Sequence, residues 1–160
     1  MNEIFFQLIL AVILGGIIGS EREIAQGLAG LRTHVLVCLA ATLFTILSLN
    51  GFPSNADPSR VASQIVSGIG FLGAGLIIFY GTKLRGITTA AGIWITAAIG
   101  MAVGLKFYLP AIFVTFLAIM VLFLFRPVEY FLDKYFWKKY KRFRREPKIS
   151  ESENKNYEEN

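Results

Sequence analysis

The sequence predicts an all-α polytopic membrane protein with five transmembrane helices, its N-terminus outside and its C-terminus cytoplasmic. Three observations carry this reading. Of 160 residues, 54% are hydrophobic and 17% charged, a balance that places the chain among membrane proteins before any motif is read. The charge is also segregated. Between Ile24 and Val128 the acidic residues reduce to Asp57, and the basic ones to Arg32, Arg60, Lys83, Arg85, Lys106 and Arg126, whereas a soluble domain carries charge on its outward faces throughout. Finally, five windows free of Asp, Glu, Lys and Arg reach or approach the roughly 20 residues that a helix needs to cross hydrocarbon.

These windows are Ile4 to Ser20, His34 to Asn50, Val61 to Tyr80, Ile87 to Gly104 and Phe107 to Phe125. Their apolar runs are continuous rather than alternating, and a helix satisfies its backbone polar groups within one segment, so helices are expected over barrel strands. The first window is expected to be retained and not cleaved, because Glu3 stands where a signal peptide has basic residues and no Ala-x-Ala-like site follows. Orientation follows from lysine and arginine. The loops after spans one and three and the C-terminal tail share a side and hold 2, 2 and 10 basic residues, against Arg60 and Lys106 opposite. The richer side is cytoplasmic by the positive-inside rule.

Residues 67–75 read SGIGFLGAG, in which Gly68, Gly70 and Gly73 have the G-x-G-x-x-G spacing of a dinucleotide turn. That reading needs an acidic residue about 20 positions on, and none occurs before Glu129. Close packing explains the glycines better, since helices in lipid associate over small residues. Ala11, Gly15 and Gly19 form such a line in span one, and Thr88, Gly92, Thr96, Gly100 and Gly104 form one in span four. Span three has Ser63, Ser67, Gly70 and Ala74 on one face, with Gln64, Gly68 and Gly75 about a third of a turn away. Two small faces imply two close neighbours, so span three is expected at the centre. Span five, without glycine and rich in phenylalanine, is expected at the periphery. The rival use of glycine, baring backbone carbonyls to an ion or substrate path along spans three and four, stays open.

Three polar groups interrupt the apolar background: Glu21, Arg22 and Glu23 after span one; Arg32, Thr33 and His34 before span two; Lys83 and Arg85 between spans three and four. All fall on the expected cytoplasmic side, where spans one, three and four converge. They read either as interfacial charge that fixes topology, or as a site for an ion, a lipid head group or a partner protein. His34 is expected to be an interfacial polar residue. Opposite, Asp57 followed by Pro58 is a helix-start signal ahead of Arg60. No window contains Asp or Glu, which argues against a dedicated magnesium pore. Cys38 is the one cysteine, so no intrachain disulfide can form. No catalytic set or metal-ligand spacing is visible, and neither an enzyme nor a cofactor is expected.

Residues 1–126 are expected to form the membrane domain, 127–147 an interfacial helix and 148–160 a disordered polar tail. The interfacial segment interleaves aromatic residues with seven basic ones between Lys134 and Arg145. Such a segment suits anionic lipid better than nucleic acid.

GGIIGSERE (15–23), AGLRTH (29–34), DPSRVASQIVSGIGFLGAG (57–75) and RGITTAAGIWITAAIG (85–100) together resemble the MgtC/SapB family of bacterial inner-membrane proteins. The likeness covers most of residues 1–105. It places the family's patterned positions on Glu21, Arg22, Arg32, Thr33, Asp57, Arg60, Gln64, Gly68, Gly70, Gly73, Gly75, Arg85, Gly86, Thr88, Thr89 and Trp94. The resemblance implies a multi-pass inner-membrane protein associated with growth under magnesium limitation and, in pathogens, with survival inside macrophages. It implies regulation of another membrane complex rather than transport, with the F-type ATP synthase a suggested target; a small homo-oligomer-forming structural protein is a separate reading of the residues. A basic tail is expected in place of the further soluble domain that some members carry. His34 stands where some relatives have Asn, and Ile95 where some have Cys.

Overall fold

A computed structural model of the chain describes residues 2–51, 57, 59–80 and 83–143. Five helices and one short hairpin follow in the order α1 (Asn2–Ile24), α2 (Leu31–Asn50), α3 (Ser59–Gly75), β1 (Ile78–Tyr80), β2 (Lys83–Arg85), α4 (Ile87–Gly104) and α5 (Tyr108–Phe143). The helices α1, α2, α4 and the Tyr108–Val128 part of α5 are long and apolar enough to cross a membrane. The protein is therefore a multi-pass membrane protein. Helix α3, with 17 residues, is not among these four.

The reason lies at the end of the third window. After Gly75 the amides of Leu76 and Ile77 bond three residues back, to Gly73 and Ala74, and this tightening ends the helix. β-branched and aromatic residues follow, which suit a pleated strand. Ile78 pairs with Arg85, and Phe79 with Leu84, in an antiparallel hairpin. Hydropathy alone could not separate this strand from the helix before it.

Helix α2 is the centre of the bundle, which corrects the expectation that span three would be. Its buried residues include His34, Val37, Cys38, Ala41, Thr42, Thr45 and Ile46, a stripe about half its circumference wide, and it packs against α1, α3 and α4. The small-residue line of α1 lies against it: a methyl group added at Gly15 would stand 2.8 Å from Cys38 Cβ, and one at Gly19 2.7 Å from Leu31 Cα. The line of α4 lies against another part of α2. A methyl at Gly100 would strike the carbonyl oxygen of Cys38, and one at Gly104 would stand 2.7 Å from Thr45 Cβ. Thr42 ties the pair further, its Oγ1 donating 2.8 Å to Gly100 O while sharing the proton with Cys38 O at 2.9 Å. At the far end of α4, buried Gln7 donates through Nε2 to Val103 O at 2.8 Å and Gly104 O at 3.0 Å, joining α1 to α4. Val103 O also accepts from Lys106 N, whereas Gly104 O is a carbonyl of the kind that a helix end leaves open.

Helix α3 is not central. Only Ile65 and Gly73 on it are buried, and a methyl added at Gly68, Gly70 or Gly75 would meet nothing within 4 Å. Gly73 alone approaches a neighbour, with an added methyl 3.6 Å from Ala90 Cβ of α4. The first part of α5 packs by one side: Ala111 and Thr115 are buried, and the rings of Phe6 and Tyr108 meet edge to face at 5.4 Å. Phe113, Phe116 and Phe123 point outward, as expected of a peripheral helix. The described residues from Leu124 onward form a unit of their own. Within it α5 continues as helix through Pro127 to Phe143; the expected disordered tail lies outside the described residues.

Candidate functional site

The end of α1, the α1–α2 loop and the start of α4 enclose a cavity of about 500 Å³ lined by Arg22, Gln26, Gly27, Leu28, Arg85, Gly86, Thr88 and Thr89, among others. Local sequence builds each wall. Helix α1 ends where Gly27 N bonds back to Arg22 O, with Gln26 in the left-handed region at φ 54°. On the opposite wall the hairpin delivers Arg85 and then Gly86, at φ +94°. A methyl there would collide with Leu76 O, so only glycine makes this turn into α4.

Arg22 is the residue on which the site turns. It is 8% exposed, although arginine is among the residues least often buried. Its Nη2 reaches Thr89 Oγ1 at 3.4 Å, 67 residues away in sequence. Its Nη1 lies 3.7 Å from Glu21 Oε2, a long pairing. Its Nε has no hydrogen-bond partner. Gly27 sits over this edge, since a methyl on it would stand 2.7 Å from Nη2 and 3.0 Å from Nε.

His34 belongs to the interior and not to an interface, which corrects the sequence expectation. It is 0% exposed. Its Nδ1 lies 2.9 Å from Gly30 O; a carbonyl only accepts, so Nδ1 carries the proton and Nε2 presents a lone pair. That nitrogen has no partner and looks across at Gly92, where a methyl would come within 3.4 Å. Glu23 turns away from the cavity and caps α2 instead, its Oε2 accepting from Leu31 N at 3.0 Å. A methyl on Gly30 would collide with that carboxylate.

The structure thus brings together Glu21, Arg22, Arg85, Thr88 and Thr89 of the residues singled out in the sequence, and omits others. Arg32 and Thr33 are exposed, and Thr33 lines a different cavity between α2 and α3 with Gln64 and Gly68. Lys83 contributes backbone pairing in β2. Trp94 faces outward at 53% exposure. Thr96 is spent within α4, donating to Gly92 O at 2.7 Å. At the opposite end Asp57 accepts from Ser59 N at 2.9 Å, as a helix-start residue should, and Arg60 is exposed beside it. Sequence reasoning missed Gln26 and Gly27, whose turn shapes one wall, and Gln7, whose amide closes the far end. Among the described residues no group of three or more His, Cys, Asp or Glu is placed to hold a metal ion.

The profile of the MgtC family matches residues 8–131. The chain belongs to the MgtC family. YhiD of Escherichia coli (strain K12), named as a candidate magnesium transporter, is 43% identical over 135 residues, covering 80% of this chain and 63% of YhiD. MgtC of Salmonella typhimurium (strain LT2) is 49% identical over 98 residues, 61% of this chain and 42% of that protein. MgtC of Brucella abortus (strain 2308) is 45% identical over 123 residues, 77% of this chain and 51% of that one. The chain thus spans about half the length of these MgtC-family relatives. No solved structure matches it.

Proposed function

We propose that this MgtC-family protein modulates ion homeostasis or membrane energetics by docking another membrane complex against α3, in the setting of magnesium-limited growth and, in a pathogen, of virulence. The carrying observation is the exposed face of α3. Ser63, Gln64, Ser67, Gly68 and Gly70 all lie open, and the groove between α2 and α3, about 600 Å³, is lined largely by apolar groups including Val37, Ala40, Phe44 and Leu72. The Ser63 and Ser67 hydroxyls bond back to Arg60 O and Ser63 O, but an amide such as that of Gln64 turned to lipid is costly, and small residues let a helix approach closely. The occupant that fits is therefore a transmembrane helix of a partner protein. The bacterial inner membrane is the expected location, and the F-type ATP synthase a candidate partner.

The competing reading is a channel or transporter along the glycines of α3 and α4, which the name of YhiD favours. The packing favours docking. The α4 glycines Gly100 and Gly104 are filled by α2, and the helix interiors lack the carboxylates that hard divalent cations prefer. Affinity purification from native membranes tests the proposal: a membrane protein should co-purify with the wild-type chain and be lost with Gly70→Leu. Magnesium uptake into liposomes by the purified chain, abolished by Arg85→Ala, would contradict it. Recovery of a second copy alone would make the α3 face a homo-oligomer contact.

A further inference from the structure

The groove between α2 and α3 is framed by charge as well as lined by apolar groups. Two rows build it, Leu36, Ala40 and Phe44 on α2 and Gln64, Gly68 and Leu72 on α3, each at four-residue spacing and so along one helix face. Continued by one more step of four toward the N-terminus, the rows reach Arg32 and Arg60. Both arginines are exposed.

The two helices run antiparallel. Leu28, shortly before α2, and Leu76, just after α3, meet at Gly86, where an added methyl would stand 3.0 Å from Leu28 Cδ1 and would collide with Leu76 O. Arg32 and Arg60 therefore mark opposite ends of the groove. From each arginine to the far end of its row, Phe44 or Leu72, is about 18 Å of helix at roughly 1.5 Å per residue. Helical side chains lean toward the N-terminus, so each arginine leans outward from the groove, toward a different head-group layer.

The acids of the chain leave both charges unmatched. Neither arginine takes part in an ion pair among the described residues. Beside Arg32, the Glu23 carboxylate accepts from Leu31 N at 3.0 Å. Beside Arg60, hydrogen bonds from Ser59 come first in holding the Asp57 carboxyl below its ordinary value, and the Arg60 charge comes last.

We infer that the helix docking in this groove carries an acidic residue near each of its ends, one meeting Arg32 and the other Arg60, with a small residue between them to pass Gly68. This rests on the reading that a membrane partner docks against α3, and adds the chemistry of that partner. Its acids stand at least about 12 residues apart, the rise between the two arginines, so one membrane-crossing helix reaches both. Ion pairs at this depth add modestly to affinity, whereas like charges brought together are penalised. A helix with basic ends is thereby refused.

The test places the full chain in phosphatidylcholine liposomes with three dansyl-labelled single-span peptides of leucine and alanine around a central glycine, ending in glutamates, glutamines or lysines. Energy transfer from the two tryptophans of the chain reports binding. The glutamate peptide should half-saturate at about a fivefold or more lower peptide-to-lipid ratio than the glutamine peptide, and the lysine peptide at a higher one. Arg32→Gln and Arg60→Gln should each shrink that advantage roughly two- to fivefold. Arg32→Glu combined with Arg60→Glu should transfer it to the lysine peptide; if that double variant fails to insert, the two glutamine variants decide. Gly68→Leu, which fills the groove, should abolish binding of all three peptides. Equal binding of the three, or an advantage untouched by Arg32→Gln and Arg60→Gln, would overturn the inference while co-purification still judges docking at α3. Failure of every peptide to bind would leave lipid in the groove and overturn it too. Energy transfer between differently labelled copies of the chain, lost in the same arginine variants, would make the occupant a second copy and likewise overturn it.

Discussion

The glycines of α1 and α4 and the glycines of α3 look alike in sequence and do opposite things in space. Gly15, Gly19, Gly100 and Gly104 are each pressed onto the backbone or Cβ atoms of α2, whereas a methyl added at Gly68, Gly70 or Gly75 meets nothing within 4 Å among the described residues. The first set is consumed by the fold. The second set is left unfilled, on a helix whose Ser63, Gln64 and Ser67 side chains share the same open surface. A small-residue line states that something can approach closely, and says nothing of whether that something lies in the same chain.

This contrast is easiest to break at the closed set. Gly100→Leu drives a side chain into the Cys38 carbonyl and should cost about 3 kcal/mol or more through overpacking, read as a collapsed thermal unfolding midpoint in detergent. Gln7→Leu should come next. It takes the buried Gln7 donor from Gly104 O, while Val103 O keeps the Lys106 amide, a loss of about 1 kcal/mol by the same melt. Gly70→Leu should leave the melt within about 0.5 kcal/mol of wild type, while removing any partner that co-purifies. Phe116→Leu, on the outward side of α5, should change neither readout.

The smallest effect is expected at the opposite end, where hydrogen bonds from Ser59 hold the Asp57 carboxyl below its ordinary value. A depressed carboxylate contributes stability above its unfolded pKa and loses it as pH falls through the folded one. The start of α3 should therefore weaken slightly on acidification below the usual carboxylate range. In Asp57→Asn that pH dependence, followed by hydrogen exchange at the Ser59 amide, should disappear.

The small lines of α1 and α4, the outward phenylalanines of α5 and the Asp57 helix start were legible because each is local or periodic. The centre of the bundle was not. Helix α2 receives both lines on Cys38, Ala41, Thr42 and Thr45, small residues that do not stand out as glycine does. The β1–β2 hairpin was hidden because Ile77, Ile78, Phe79 and Tyr80 are as apolar as the helix they follow. For the cavity, the charges were visible but their sorting was not. Whether Arg22 meets Thr89 or Glu23 meets Leu31 depends on how the chain turns at Gln26 and Gly27, and a single-residue left-handed turn leaves little mark on hydropathy.

The most direct measurement is photo-crosslinking in native membranes, with a photoreactive side chain placed at Ser67 on the open face of α3 or at Phe116 on the lipid side of α5. Position 67 should give a discrete protein adduct and position 116 lipid adducts alone. Lipid adducts alone from both positions would contradict the assignment of α3 as a docking surface.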